Sequence, residues 1–296
     1  MTDSNFDSML MVIAKQQDIS PCSPRKPSHL NRLHRYDGNV IGGLILGSGM
    51  ALTGACPGTV LIQVSKGISS GIPALGGAVL GGILWSRFGY HAKSTDTSPD
   101  AKERSGGAEE LTVYESAKIR EFDAVLIYEL ICLATIVSVS YFAPGSAVSQ
   151  GLNPVLGGLL IGGSQAASLL LTKSAIGVST AYERVGQYFC HFTKLTSQNC
   201  SLPSLDSVVF ALGMVGGSWG LSKALGLKML EETVNISFAR AFIGGVALVL
   251  GARIAGGCTS GHGISGMSTL SKSSFVTVGA MFAGGIGVSM LLGWLL

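Results

Sequence analysis

Two cysteines carry the chemistry that this sequence can offer. Cys56 stands in Gly54-Ala55-Cys56-Pro57-Gly58-Thr59, and Cys258 in Gly256-Gly257-Cys258-Thr259-Ser260-Gly261-His262. Each closes an apolar run and opens a turn. Pro57 suits the first turn of a new helix, and glycines such as Gly58, Gly257 and Gly261 let a backbone approach a ligand. Free N–H groups at a helix start favour an anion. A thiol is a weak donor, and as thiolate a nucleophile. An anion that carries a soft sulfur satisfies both features, with Thr59, Thr259 and Ser260 as further polar contacts. The simpler reading makes both cysteines small buried hydrophobes in a glycine-packed interface.

Four other polar residues stand in apolar surroundings. His262 follows Cys258 by four residues, the spacing of one helical face. It either orients the thiol, gives an anion a donor, or is satisfied by backbone carbonyls. Arg253 sits inside an apolar segment, where charge is costly. It attracts anions, pairs with Glu129, or reaches for the surface. Glu129 is open to proton coupling or to a place near the membrane surface. Gln165 either lines a path or bonds across helices.

The frame around these residues reads as membrane protein. The chain has 296 residues, 47% hydrophobic and 12% charged, with 42 glycines and a mean hydropathy of +0.47. A soluble domain carries about 25% charge. Glycine at this level without a collagen repeat fits close-packed transmembrane helices. The net charge of +3 is spread along loops, with no basic cluster interleaved with aromatics, so nucleic acid is excluded as a partner. The six cysteines form no CxxC pair, which argues against zinc and thioredoxin-like chemistry. Nothing calls for a metal or another cofactor. Cys190 and Cys200 share a polar stretch and are either a pair or two unrelated thiols. No apolar stretch with a cleavage site opens the chain, so no signal peptide is expected.

The expected fold class is all-α, a polytopic membrane protein with an inverted repeat of glycine-rich helices, some short or broken at mid-membrane. Residues 1–38 read as a polar, disordered tail, 39–90 as a shortened first repeat, 91–121 as a polar linker, and 122–296 as the second repeat with a preceding helix. Seven apolar segments are expected: 40–55, 68–85, 123–142, 155–171, 208–225, 237–255 and 275–296. A polar loop is expected over 173–205. The repeat aligns without a gap at a spacing of 202 residues, the distance from Cys56 to Cys258. It matches Ile41 with Ile243, Gly42 with Gly244, Gly43 with Gly245, Gly49 with Gly251 and Gly54 with Gly256. The next helices match loosely, Gly81-Gly82 with Gly284-Gly285. Five crossings between the two starts make the copies run in opposite directions, the arrangement of transporters with a site at the repeat interface. Lys and Arg concentrate in the tail, in 87–120 and in 173–205, and this places the N-terminus in the cytoplasm.

At Gly54-Ala-Cys56-Pro-Gly-Thr and Ala255-Gly-Gly-Cys258-Thr-Ser-Gly-His262-Gly-Ile-Ser-Gly266 the chain resembles the YeeE/YedE sulfur-transport family, over about residues 38–296. The resemblance implies a carrier, not an enzyme, that takes up thiosulfate. Pore cysteines would receive the terminal sulfur through transient S–H···S contacts, and Cys56 and Cys258 match two of them. Members of that family begin with a further glycine-rich helix bearing a third cysteine. Here a polar tail stands in its place, and Cys22 does not match. The N-terminal half therefore reads as shortened, with a homo-oligomer or a partner supplying the missing helix. The alternatives are a membrane sulfurtransferase or redox thiol protein that passes sulfur to a soluble acceptor, and a truncated, non-transporting homologue.

Overall fold

The computed structural model describes residues 24–30, 35–89, 111–142, 154–172, 177–193, 205–225 and 236–295. Its helices are α1 (Asp37–Thr53), α2 (Pro57–Ser65), α3 (Gly71–Leu84, extended by a π turn over Trp85–Gly89), α4 (Val113–Ala117), α5 (Glu121–Phe142), α6 (Pro154–Thr172), α7 (Ser179–Phe192), α8 (Asp206–Leu225), α9 (Phe238–Ala255), a π segment (Ser260–Gly266) and α10 (Lys272–Leu295). The described residues contain no strand, only an isolated antiparallel bridge between Thr112 and Ser271. The protein is all-α. Three stretches among them are long and apolar enough to cross a membrane: Asp37–Ser65, Phe238–Ala255 and Lys272–Trp294.

The core is the crossing of the two repeat helices, α1 and α9. A methyl on Gly42 would meet the backbone of Ala255 and Gly251, and one on Gly49 the backbone of Leu248 and Gly244. Ascending numbers in one helix face descending numbers in the other, so the helices are antiparallel. Gly42 is the repeat partner of Gly244, and Gly49 of Gly251. The contact of Gly42 with Gly251 is thus the symmetry mate of the contact of Gly49 with Gly244, the relation expected of a two-fold axis.

The second helices obey the same rule. Gly43 approaches Thr277 and Ala280 of α10, while its mate Gly245 approaches Ala74 and Ala78 of α3. Each repeat therefore lays its first helix against the second helix of the other, in the order α3, α9, α1, α10. Glycine is required because backbone, not side chain, fills the space. Leu46, Leu248, Ala252, Ala74 and Met281 pack the crossings. On the outside, α5 exposes Leu126, Ile127, Leu130, Ile131 and Leu133, a face suited to lipid.

Three polar stretches depart from expectation. The 173–205 region contains α7, whose Ser179, Tyr182, Gly186 and Cys190 are buried. Gly186 lies against the backbone of Gly82 on α3, which gives this polar helix a buried side. Residues 24–30, within the expected tail, dock on the ends of α1 and α9. The Ser28 hydroxyl donates to the Ile254 carbonyl at 2.6 Å and the Ser28 N–H to Asn39 Oδ1 at 2.8 Å. The C-terminal end of α9 leaves carbonyls without partners and the start of α1 leaves N–H groups; Ser28 donates to the first and accepts from the Gly38 N–H of the second. Finally, the linker ends in α4, joined to the start of α10 by the N–H of Val113 donating to Leu270 and that of Lys272 donating to Leu111.

Candidate functional site

Both cysteines sit where a repeat helix breaks. Helix α1 ends at Gly54 with φ 65° and α9 at Gly256 with φ 81°. These are repeat-related positions in the left-handed region, which glycine occupies at little cost. Two residues further on, each chain reaches its cysteine.

Cys56 is the N-cap of α2, with extended backbone at φ −89° and ψ 168°. Its thiol accepts the Thr59 N–H at 3.5 Å, and its own N–H donates to Thr59 Oγ1 at 2.7 Å. This is a capping box in which sulfur replaces the usual serine hydroxyl. Pro57 follows at the first helical position. Cys56 is half-buried, and Thr59 is exposed.

Cys258 is 1% exposed. Its sulfur lies 3.1 Å from Ser260 Oγ. The Ser179 hydroxyl and the backbone N–H groups of Ser179 and Gly261 also reach it. Gly261 stands three residues after Cys258, as Thr59 does after Cys56. In both copies the N–H three residues ahead lies near the thiol, and in the first it donates to the sulfur. Around Cys258 polar groups gather on one soft atom. Thr259 opens the turn into the π segment and is half-buried. Gly257 is buried beside it, against the His262 ring.

Tyr182 ties the two places together. It is 3% exposed, and its hydroxyl donates to the carbonyl of Pro57, the residue after Cys56, at 2.6 Å. Gly58 faces Met214 and Val178: a methyl there would stand 3.7 Å from each and 3.8 Å from Cys56 Sγ. A side chain larger than a methyl would intrude on that space.

His262 lies behind the thiol. Nε2 is 3.1 Å from the Ala255 carbonyl and Nδ1 is 3.0 Å from Ser274 Oγ. A carbonyl only accepts, so Nε2 carries the proton and Nδ1 accepts from Ser274. With both nitrogens engaged, His262 fixes the turn. Arg253 does not pair with Glu129. It forms an ion pair with Glu183 of α7 and donates to Ser179 Oγ at 2.7 Å. A carboxylate four residues along from Ser179 is nearer to hand than one on the lipid-facing α5, where Glu129 is half-buried. Because Ser179 accepts from Arg253, its own proton is free to point at Cys258. Gln165 Nε2 donates to Ser265 Oγ of the π segment at 3.0 Å, and its buried Oε1 has no partner. Among the described residues no cluster of metal-ligating side chains occurs.

Ser179, Tyr182 and Glu183 were not foreseen, because the stretch that holds them is polar. The signal that could have found them is the spacing of Tyr182, Gly186 and Cys190, one every four residues along a single helical face. Cys22 and Cys200 lie outside the described residues, so the pairing of Cys190 with Cys200 is not addressed; Cys190 is buried and has no disulfide partner among the described residues.

An antiparallel pair of glycine-packed repeats, each broken at a thiol, defines a helical membrane protein of the inverted-repeat transporter class. The sequence pattern of the sulphur transport family matches residues 9–287, and the chain belongs to that family. A probable transporter of Xylella fastidiosa strain 9a5c is 30% identical over 146 residues, 49% of this chain and 98% of that protein. The thiosulfate transporter TsuA of Spirochaeta thermophila is 24% identical over 286 residues, 92% of this chain and 80% of that protein.

Proposed function

We propose that this chain carries thiosulfate, or a closely related sulfur-bearing anion, across a membrane by handing its terminal sulfur between Cys56 and Cys258. The observation that carries the reading is the matched pair of thiols, each two residues past a left-handed glycine at a helix break, with polar donors beside it. Helix-end N–H groups and hydroxyls of Thr59, Ser179 and Ser260 hold the charge. The thiols read the sulfur through S–H···S contacts, with no covalent step. Tyr182, held on the Pro57 carbonyl, lines the path between them. The N-terminus faces the cytoplasm, by the distribution of Lys and Arg. A similarly named function in a relative that matches 92% of this chain supports the same substrate.

The test is uptake of labelled thiosulfate by proteoliposomes containing the full chain, with labelled sulfate as comparison. Sulfate has the same charge but no terminal sulfur. Cys258→Ser keeps a hydroxyl in place of the thiol. Loss of one fitted contact, about 1–1.5 kcal/mol, lowers thiosulfate uptake about tenfold. Undiminished uptake by a well-inserted Cys258→Ser protein, or equal handling of sulfate and thiosulfate by the unmodified chain, sinks the relay.

A further inference from the structure

Arg25 belongs to a stretch that the sequence reads as a loose tail, yet the structure sets it on the Cys258 turn. Its Nη1 donates to the Gly256 carbonyl at 3.1 Å. The guanidinium lies against Gly257 and Gly261: a methyl on the first would stand 2.8 Å from Nη1, and on the second 2.9 Å from Nη2. Those two glycines lie one residue before and three after Cys258, so the guanidinium sits on the turn that carries the thiol.

The segment that delivers Arg25 is anchored in place. The Arg25 carbonyl accepts from the hydroxyls of Ser271 and Ser273, each at 2.9 Å. Ser28 is bonded to Ile254 and to Asn39. Asn39 in turn donates to Ala255 at 3.2 Å and to Thr277 at 2.7 Å. The strap thus joins the N-terminal segment, α1, the end of α9 and the start of α10.

The charge balance singles Arg25 out. Arg253, the other cation here, is neutralised by Glu183. Among the described residues no carboxylate stands within ion-pair distance of Arg25, and one carbonyl is a small claim on a group with five donors. With no carboxylate against it among the described residues, the guanidinium offers a bidentate, planar match to the oxygens of an oxyanion.

We infer that Arg25 is a specificity-determining residue of the Cys258 site, holding the oxygens of the anion while the thiol meets its sulfur. This rests on the carrier reading above and adds to it a cation supplied from outside the two repeats. The glycines at 257 and 261 are then small so that the guanidinium can lie beside the thiol. The competing role is purely structural, a cation capping the C-terminal end of α9. That role predicts a loss of stability but no discrimination by charge.

The experiment uses the full chain in proteoliposomes. Cys258 is labelled with an anionic methanethiosulfonate (the sulfonatoethyl form) and with a cationic one (the trimethylammonioethyl form), and modification is quantified at Cys258 by peptide mass spectrometry. With Arg25 present the anionic reagent reacts faster. Arg25→Gln lowers the ratio of anionic to cationic rates by about fivefold, the order expected for one unit charge a few ångströms from the reacting atom in high dielectric. Arg25→Lys keeps most of the ratio. In parallel, Arg25→Gln raises the KM for thiosulfate roughly tenfold, with a smaller change in maximal rate.

An unchanged reagent ratio in Arg25→Gln overturns the inference, even if the variant melts earlier. So does a Cys258 that neither reagent modifies in either protein, because no anion then reaches the thiol beside Arg25. A charge-dependent ratio without any thiosulfate uptake upholds Arg25 and rejects the carrier reading. Uptake that needs Cys258 but ignores Arg25 does the reverse.

Discussion

Gly42→Ala tests whether the crossing of α1 and α9 sets the site. A methyl at this position would stand 2.3 Å from the Ala255 nitrogen and 2.8 Å from the Gly251 carbonyl oxygen. Both neighbours are backbone atoms, so no rotamer change relieves the clash. Carbon contacts settle near 3.5–4.0 Å, so the two helices must part by about 1 Å. Overpacking of this kind costs about 1–3 kcal/mol, and in a chain of this size a shift of about 5 °C in melting temperature is expected. Gly287→Ala on α10 is the control, since nothing lies within 4 Å of its added methyl and alanine is the better helix former. The displaced atom also matters for function. Ala255 precedes Cys258 by three residues, and its carbonyl accepts from both His262 and Asn39. Thiosulfate uptake by Gly42→Ala therefore falls by more than the lower stability accounts for. Thermal unfolding in detergent and uptake in liposomes measure the two effects. Equal melting temperatures for Gly42→Ala and Gly287→Ala would refute the reasoning.

The repeat was legible because the same backbone demand falls twice on the same positions. Gly42, Gly49 and Gly54 in one copy, and Gly244, Gly251 and Gly256 in the other, are fixed by close approach and by helix termination. Both constraints act locally and leave a mark in the residue type. The thiols at 56 and 258 were legible for the same reason, as the residues that follow each break. The surroundings of Cys258 were not. Ser179, Glu183 and Arg25 come from stretches whose polarity suggests solvent, and each meets a partner 70 or more residues away. Composition reports what a stretch can bury by itself, not which helix end is waiting for its donors. The pairing of Arg253 was misjudged in the same way: Glu129 drew notice as a charge in an apolar run, while Glu183 lay unremarked in a polar one.

The remaining predictions concern the two polar layers around the thiols. In the outer layer, Glu115 accepts the Thr112 N–H at 3.1 Å in the cap of α4, and this bond holds its carboxyl below the usual glutamate range. A lowered folded-state pKa means that the contribution is complete above the ordinary value and is lost as pH falls through the lowered one. The protection factor of the Thr112 N–H, its exchange rate relative to the intrinsic rate at the same pH, is accordingly high at pH 7, falls in acid, and is low at both in Glu115→Ala if the carboxylate is the cause; a pH-independent protection factor in the native chain would contradict this. In the inner layer, Glu183→Gln leaves Arg253 largely buried without its counter-charge, at 15% side-chain exposure. Breaking such a pair from one side costs about 3 kcal/mol, whereas replacing both members with apolar groups of similar size is close to neutral. Glu183→Gln therefore unfolds earlier, and Glu183→Leu with Arg253→Met recovers most of the stability. Uptake separates the two roles of the pair. If Arg253 serves only to hold α7 against α9, the double variant transports as well as it folds. If it also turns the Ser179 proton toward Cys258, the double variant is stable and still slow. The bond from Arg253 to Ser179 at 2.7 Å favours the second outcome, and full transport by a stable double variant would leave the cation with a structural role alone.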